Sequence, residues 1–396
     1  MSTSPRFCDA ERHFHEADDS FTRHLEAKFA DRAVHVVRNA DRTGTWYFGD
    51  TPLAYGRRAN ARILVPGSYG GIPTAPPNEG EAFATVDAFQ PQFVDRDAYL
   101  TIMDEQCVER ALVMPVHAFN VTWDLRRDVQ AAYANLRAFN RYLEDDWGYA
   151  HRDRIYSTPL MALFDVQEAR RELERVLNGG ARAILLNTGP VLGRSPGDRM
   201  FDPFWSMANE AGTLVVFHID HFSYHEFFGG AWGECAEPTS EAEVSAFQWL
   251  ACVGARPMMD TMASLVLHNL FGRFPNLNVL SVSNGSTWIR DLARLDKSSS
   301  PSYPWPRDEA QWWPGGRLTA PPSELIREHL YVAPFVQDDV VEILSYVDEG
   351  HVLMATDYPH PDGFADARDY PSILSDVPER AARSITYDNF RRLLKV

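Results

Sequence analysis

FDPFWSMANEAGTLVVFHID, residues 201–220, holds one helix and one strand in sequence. Asp202 and Pro203 predict a helix start, because a carboxylate serves the free N–H groups of a first turn and proline has no N–H to lose there. The pattern then changes to an apolar run from Thr213 to Ile219, which reads as a buried strand. That strand carries His218 to its end, where an apolar segment meets a loop.

The same alternation continues on both sides. Toward the N-terminus lie strand Arg182 to Asn187 and a helix from Val166 with Ala169, Leu173, Val176 and Leu177 inward. Asp165 and Glu168 open that helix as a capping-box-like pair, and Gly179 and Gly180 end it. Before it come strand Ile155 to Leu163, a helical face of Val129, Ala132, Leu136, Phe139 and Leu143, strand Arg110 to Val116 and a short strand Phe7 to His13. Toward the C-terminus follow helix Met258 to Leu270, strand Leu277 to Ser283, a short helix near Trp288 to Leu295, strand Leu330 to Phe335, helix Asp338 to Tyr346 and strand His351 to Thr356.

Eight strands separated by helices predict an α/β fold, a (β/α)8 TIM barrel, since each crossover returns its helix to the same outer layer. An open doubly wound sheet would carry a glycine-rich turn after its first strand, and no GxGxxG follows Phe7 to His13. Pro66, Gly67, Gly70, Gly71, Pro73, Pro76 and Pro77 predict a long irregular insertion after the first strand. The portions 46–91 and 298–322 read as covering loops on a single domain spanning 1–396.

With 45% apolar and 23% charged residues, the chain can bury a large core. Its formal charge of −17 and the lack of any long basic run argue against nucleic acid as a partner. No signal-like segment opens the chain, and none approaches the ~18 apolar residues of a membrane span, so a cytoplasmic protein without a membrane partner is expected. Cys8, Cys107, Cys235 and Cys252 form no CxxC pair, which excludes a thiolate zinc site and a disulfide framework as first readings. A small-molecule substrate is the expected partner. A homo-oligomer stays open, since many barrels self-associate.

In a barrel, reactive groups belong at the C-terminal ends of strands. Glu11, His13 and His15 alternate along the first strand and so share a face. His218 stands at the fifth strand end and Asp357 at the eighth. Imidazole and carboxylate donors suit zinc, manganese or ferrous iron. Around them, His15 and Glu16 read as partners orienting His13, and His360 as a pocket residue. His221 and His225 either line the pocket, serve a second metal or sit in a solvated loop. Arg194 and Arg199 either clamp a substrate carboxylate or pair with Asp198 and Asp202. His268 either reaches the pocket or packs at a helix end. Trp205, Trp288, Trp312 and Trp313 line a pocket or fill the core.

The segments DAERHFHEADDSFTRHL, VDRDAYLTIMDEQCVERALVMP, FDPFWSMANEAGTLVVFH, LFGRFPNLNVLSV, PPSELIREHLYVAPF and ATDYPHPDG resemble the amidohydrolase superfamily over nearly the whole chain. The resemblance is to the branch that includes aminocarboxymuconate-semialdehyde decarboxylase. It implies a metal held by Glu11, His13, His218 and Asp357; with the extra donors at His15, His221, His225 and His268, one or two divalent transition metal ions (Zn, Mn or Fe) are expected. Glu11 replaces the first histidine of the best-known pattern, which shifts the expectation toward manganese or iron. Ser283 stands where decarboxylating relatives commonly carry a sixth-strand histidine. The first expectation is therefore a hydrolase that attacks an amide, ester, lactone, thioester or C–C bond beside a carbonyl with metal-activated water, Asp357 moving the proton. A metal-dependent non-oxidative decarboxylase is the alternative, and a catalytically inactive binding protein is a lesser one.

Overall fold

The computed structural model describes residues 6–40, 43–53, 61–69, 84–219, 224–238, 243–297 and 314–396. Seven strands form the inner wall: β1 (Phe7–Phe14), β2 (Val108–Pro115), β3 (Ile155–Ser157), β4 (Ala183–Leu186), β5 (Leu214–His218), β6 (Asn278–Val282) and β7 (Leu330–Val332). All pairs among them are parallel: β1 with β2, β2 with β3, β4 with β5, β5 with β6 and β6 with β7.

Two further contacts turn these pairs into a ring. Beyond β3, Leu160 bridges to Leu185, with the Met161 N–H donating to the Leu185 carbonyl at 2.9 Å. Opposite, the segment 352–358 joins β7 to β1: the Leu353 N–H donates to the Val332 carbonyl at 2.9 Å and the Ala10 N–H to the Met354 carbonyl at 2.8 Å. Farther along, the Asp357 N–H donates to the Glu11 carbonyl at 2.9 Å and the His13 N–H to the Tyr358 carbonyl at 2.7 Å. Closure leaves the wall no free edge. The wall is the expected barrel, except that the eighth strand is not regular. Its first expected residue, His351, ends a 3-10 turn, and Asp357 at φ 56° takes the chain out of the extended region.

The helices lie between successive strands. Helix Val129–Asp146 buries Leu136, Phe139 and Leu143, and the Asp128 side chain accepts from the Ala131 N–H, a cap that contributes about 1 kcal/mol. Asp165 likewise accepts from the Gln167 and Glu168 N–H groups at the head of helix Val166–Asn178. Asp202 differs from its expected role. It is the first residue of helix Asp202–Ala211, not its cap, and its carboxylate accepts from Nε and Nη2 of Arg273 at 3.1 and 2.9 Å. The expected helix Met258 to Leu270 runs from Ala255 to Leu267.

The insertion after β1 is more ordered than its breakers suggested. Val34–Arg38 pairs antiparallel with Gly44–Phe48, which pairs with Thr51–Pro52, and Arg62–Leu64 pairs with Thr85–Asp87. Trp46 is buried there, edge-on to Phe21. Prolines and glycines concentrated at 66–77 dominated the reading, while the short strands flanking them have too few residues to show a period. Residues 70–83 and 298–313, with Trp312 and Trp313, lie outside the described residues. Ala246–Leu267 is long and apolar enough to cross a membrane by composition, against the expectation that no segment approaches such a span. It is interrupted at Gly254, φ 66°, and Met258, Met262 and Leu265 are buried in the core. The four cysteines are free thiols.

Candidate metal centre

Two imidazoles define the centre. Nδ1 of His13, on β1, lies 3.3 Å from the Pro115 carbonyl, and Nδ1 of His218, closing β5, lies 3.2 Å from the Ile219 carbonyl. A carbonyl can only accept, so this network places each ring's proton on Nδ1 and leaves Nε2 with a lone pair. Both Nε2 atoms are buried and have no hydrogen-bond partner. They face carboxylates: Nε2 of His218 is 3.3 Å and Nε2 of His13 is 3.7 Å from Oε1 of Glu11, and Nε2 of His13 is 3.1 Å from Oδ1 of Asp357. Lone pairs turned on carboxylate oxygens repel unless positive charge lies among them.

Without a metal, that charge is a proton. Burial opposes a charged His13, but the Asp357 and Glu11 carboxylates beside it outweigh that cost and push its pKa up to about 10. Burial also opposes ionised Glu11 and Asp357, yet the imidazoles around them hold both carboxyls below their ordinary values. A divalent cation supplies the same compensation. The ligand atoms of Glu11, His13 and His218 lie within 4.8 Å of one another, as do those of His13, Asp357 and His360, so the donor set fits such an ion.

Backbone geometry aims these groups. Asp357 and Ser283 are non-glycine residues in the left-handed region, at φ 56° and 54°, at the ends of the eighth and sixth wall segments. Asp357 is held by the His360 N–H, which donates to its carbonyl at 2.8 Å, and by Nδ1 of His360 at 2.7 Å from its Oδ1. The His360 ring also packs on His13, with centroids 4.3 Å apart. Gly363 permits this turn, since a Cβ there would collide with the Thr356 carbonyl oxygen and lie 2.9 Å from Cβ of Asp357. Ser283 donates its hydroxyl to Oε1 of Glu11 at 2.5 Å.

Glu11, His13, His218, Asp357, His360 and Ser283 thus come together, while other candidates have different partners. Glu16 accepts from the His117 and Ala118 N–H groups, both at 2.7 Å, and so orders the loop after β2 instead of orienting His13. His15 is buried edge-on to Phe93 and His117, and burial keeps its imidazole neutral, with its pKa well below the ordinary value. His225 meets Gln248 through Nδ1 at 3.1 Å. Arg194, half exposed, pairs with Asp198 at 3.2 Å, and Arg199 donates to the Gly315 carbonyl, not to Asp202. His268 caps helix Ala255–Leu267 and packs on Gly197. Trp205 is core, donating to the Pro196 carbonyl, and Trp288 donates to that of Gly285. His221 lies outside the described residues.

Three supports went unrecognised in the sequence. Fully buried Asp9 accepts from the N–H groups of Glu11 and Thr356 at 3.2 and 3.0 Å, tying the backbone of both carboxylate ligand candidates together. Arg12, equally buried, lies 3.3 Å from Asp9 and donates to Tyr99 and Gln106. Two opposite charges three residues apart in one short strand were the available signal. Phe119 packs on His218, ring centroids 4.4 Å apart, and nothing local in the sequence announces it.

The family model described as amidohydrolase matches residues 35–396. Among solved structures, an amidohydrolase from Mycobacterium avium subsp. paratuberculosis is 31% identical, with 99% of this chain and 100% of that chain covered and a TM-score of 0.82. A 2,6-dihydroxybenzoate decarboxylase from Rhizobium is 16% identical, over 87% of this chain and 98% of that one, with a TM-score of 0.60. A dihydroxybenzoic acid decarboxylase from Polaromonas sp., with bound manganese and the inhibitor 2-nitroresorcinol, is 15% identical, over 98% of this chain and 97% of that one, also at 0.60. No curated protein matches.

Proposed function

The chain belongs to the amidohydrolase family, and on that footing we propose that it is a metal-dependent, non-oxidative decarboxylase of a small organic acid. This reverses the order expected from Ser283, because the fold is shared with several decarboxylases, one of them holding manganese. The observation that carries the reading is the Asp357–His360 pair at the edge of the donor cluster: one proton-handling unit beside one cation position. Loss of carbon dioxide calls for a single proton, delivered to carbon.

Glu11, His13, His218 and Asp357 would hold the metal, with manganese favoured by the oxygen donor of Glu11 and by the manganese-bearing neighbour. When bound it supplies positive charge for the substrate carboxylate and for an adjacent hydroxyl or carbonyl oxygen. The chain's own residues do the rest. Cleavage of the carbon–carboxylate bond leaves an electron pair on carbon, which delocalises into the neighbouring oxygen-bearing group. A proton held between Nδ1 of His360 and Oδ1 of Asp357 then completes the product, and His360, with its side chain 26% exposed, exchanges protons with water.

Hydrolysis is the second reading. It is favoured by the depressed carboxyl of Asp357, which is ionised and able to take a proton from water. A panel of small ortho-hydroxy and β-keto acids, incubated with metal-loaded protein in heavy water, separates the two. Stoichiometric carbon dioxide with deuterium on the product carbon is expected. Oxygen from labelled water in an acyl product, without carbon dioxide, would transfer the chain to the hydrolases.

A further inference from the structure

Ser283 occupies a corner that is built with unusual care. Immediately after β6 it takes φ 54°, a conformation costly for a residue with a Cβ. Its neighbour Asn284, buried, donates through Nδ2 to the carbonyl of Phe217 at 3.0 Å and to that of Val282 at 2.9 Å, locking the corner to the end of β5 beside His218. Strained backbone of this kind persists where its surroundings over-determine it, and here it carries one side chain into the metal centre.

The Ser283 hydroxyl meets Oε1 of Glu11, the same oxygen that stands 3.3 Å from Nε2 of His218 and 3.7 Å from Nε2 of His13. A glutamate carboxylate rotates readily about its last bond. Nothing else among the hydrogen bonds described for the side chain of Glu11 fixes which oxygen faces the imidazoles.

We propose that Ser283 is a positioning residue: its hydroxyl, aimed by the left-handed corner, holds Oε1 of Glu11 in the gap between His13 and His218 and so presets the cation site. The inference rests on the metal centre of the reading above but not on the reaction catalysed there. A hydrogen bond to a ligating carboxylate orients it before the ion arrives, and loss of such partners typically weakens metal affinity roughly 10–100-fold.

Two variants separate the hydroxyl from the backbone. Ser283→Ala keeps the Cβ and its strain but has no hydroxyl, and Ser283→Gly removes both. Manganese chloride is titrated calorimetrically into chelator-stripped wild type and variants, and each metal-free chain is melted. Both variants are expected to bind manganese at least about 10-fold more weakly than wild type while melting, metal-free, only slightly below its temperature, as the loss of one hydrogen bond dictates. Wild-type affinity in Ser283→Ala would overturn the proposal, as would a marked fall in its metal-free melting temperature, which would assign the hydroxyl to the fold. If wild type takes up no manganese, this proposal and the metal centre both fall. Tight wild-type binding with no carbon dioxide from any acid tried would overturn the decarboxylase reading alone.

Discussion

Oδ1 of Asp357 is shared between two imidazoles, 2.7 Å from Nδ1 of His360 and 3.1 Å from Nε2 of His13. That one oxygen thus faces both the cation position and a ring that reaches solvent. Asp357→Asn keeps the size and one oxygen but cannot carry a proton. Its kcat is expected to fall by at least ~10², with metal content and KM changing less. Elemental analysis beside steady-state kinetics checks this. An Asn variant that holds metal and turns over near the wild-type rate would remove Asp357 from proton transfer.

Gly363 offers a steric test of the same turn. Its φ is not in the left-handed region, so alanine fits the backbone there, but the added Cβ collides with the Thr356 carbonyl and Cβ of Asp357. Gly363→Ala is expected to cost on the order of 1–3 kcal/mol, the usual range for overpacking, and to lower kcat by displacing Asp357. Urea unfolding and kinetics measure the two effects. An unchanged kcat would show that the turn yields without moving the carboxylate.

The metal-free chain should lose stability as pH rises. His13 has its folded pKa raised to about 10, against about 6.5 unfolded. Its contribution is therefore fully present below about pH 6.5 and is lost as pH climbs through 10. The depressed carboxyls of Glu11 and Asp357 act in the acid range and leave this window undisturbed. Melting temperatures in chelator between pH 6 and pH 10 should decline for wild type, with a flatter profile for His13→Gln. Equal slopes would mean that His13 does not bind the extra proton.

Much of this molecule is legible before folding, for a physical reason. The ends of strands are where a barrel exposes its reactive groups, so His218 and Asp357 could be found from the apolar runs they close, and His13 from its alternation with Glu11 and His15 on one strand face. Resemblance to a family supplied Glu11 as a ligand position and the meaning of Ser283. The irregular eighth segment was not legible, because VLMAT is apolar enough for a strand and the interruption comes from the left-handed turn at Asp357. The Asp9–Arg12 pair was missed for a related reason. Buried charge is judged by its partners, and Thr356 and Gln106 are distant in sequence.

The ring is closed by hydrogen bonds between Asp9 and Thr356, 347 positions apart. Glu11 and Asp357 share that closure, so a cation finds its full donor set only on a chain whose two ends have met. On the proposed ligand set, tight metal uptake would report completed folding and be blind to partial structures however rich in helix. A ribosome-bound or proteolytically shortened chain lacking 352–358 would keep Glu11, His13 and His218 without Asp357, and on the proposed ligand set is expected to hold the ion more weakly than the complete wall.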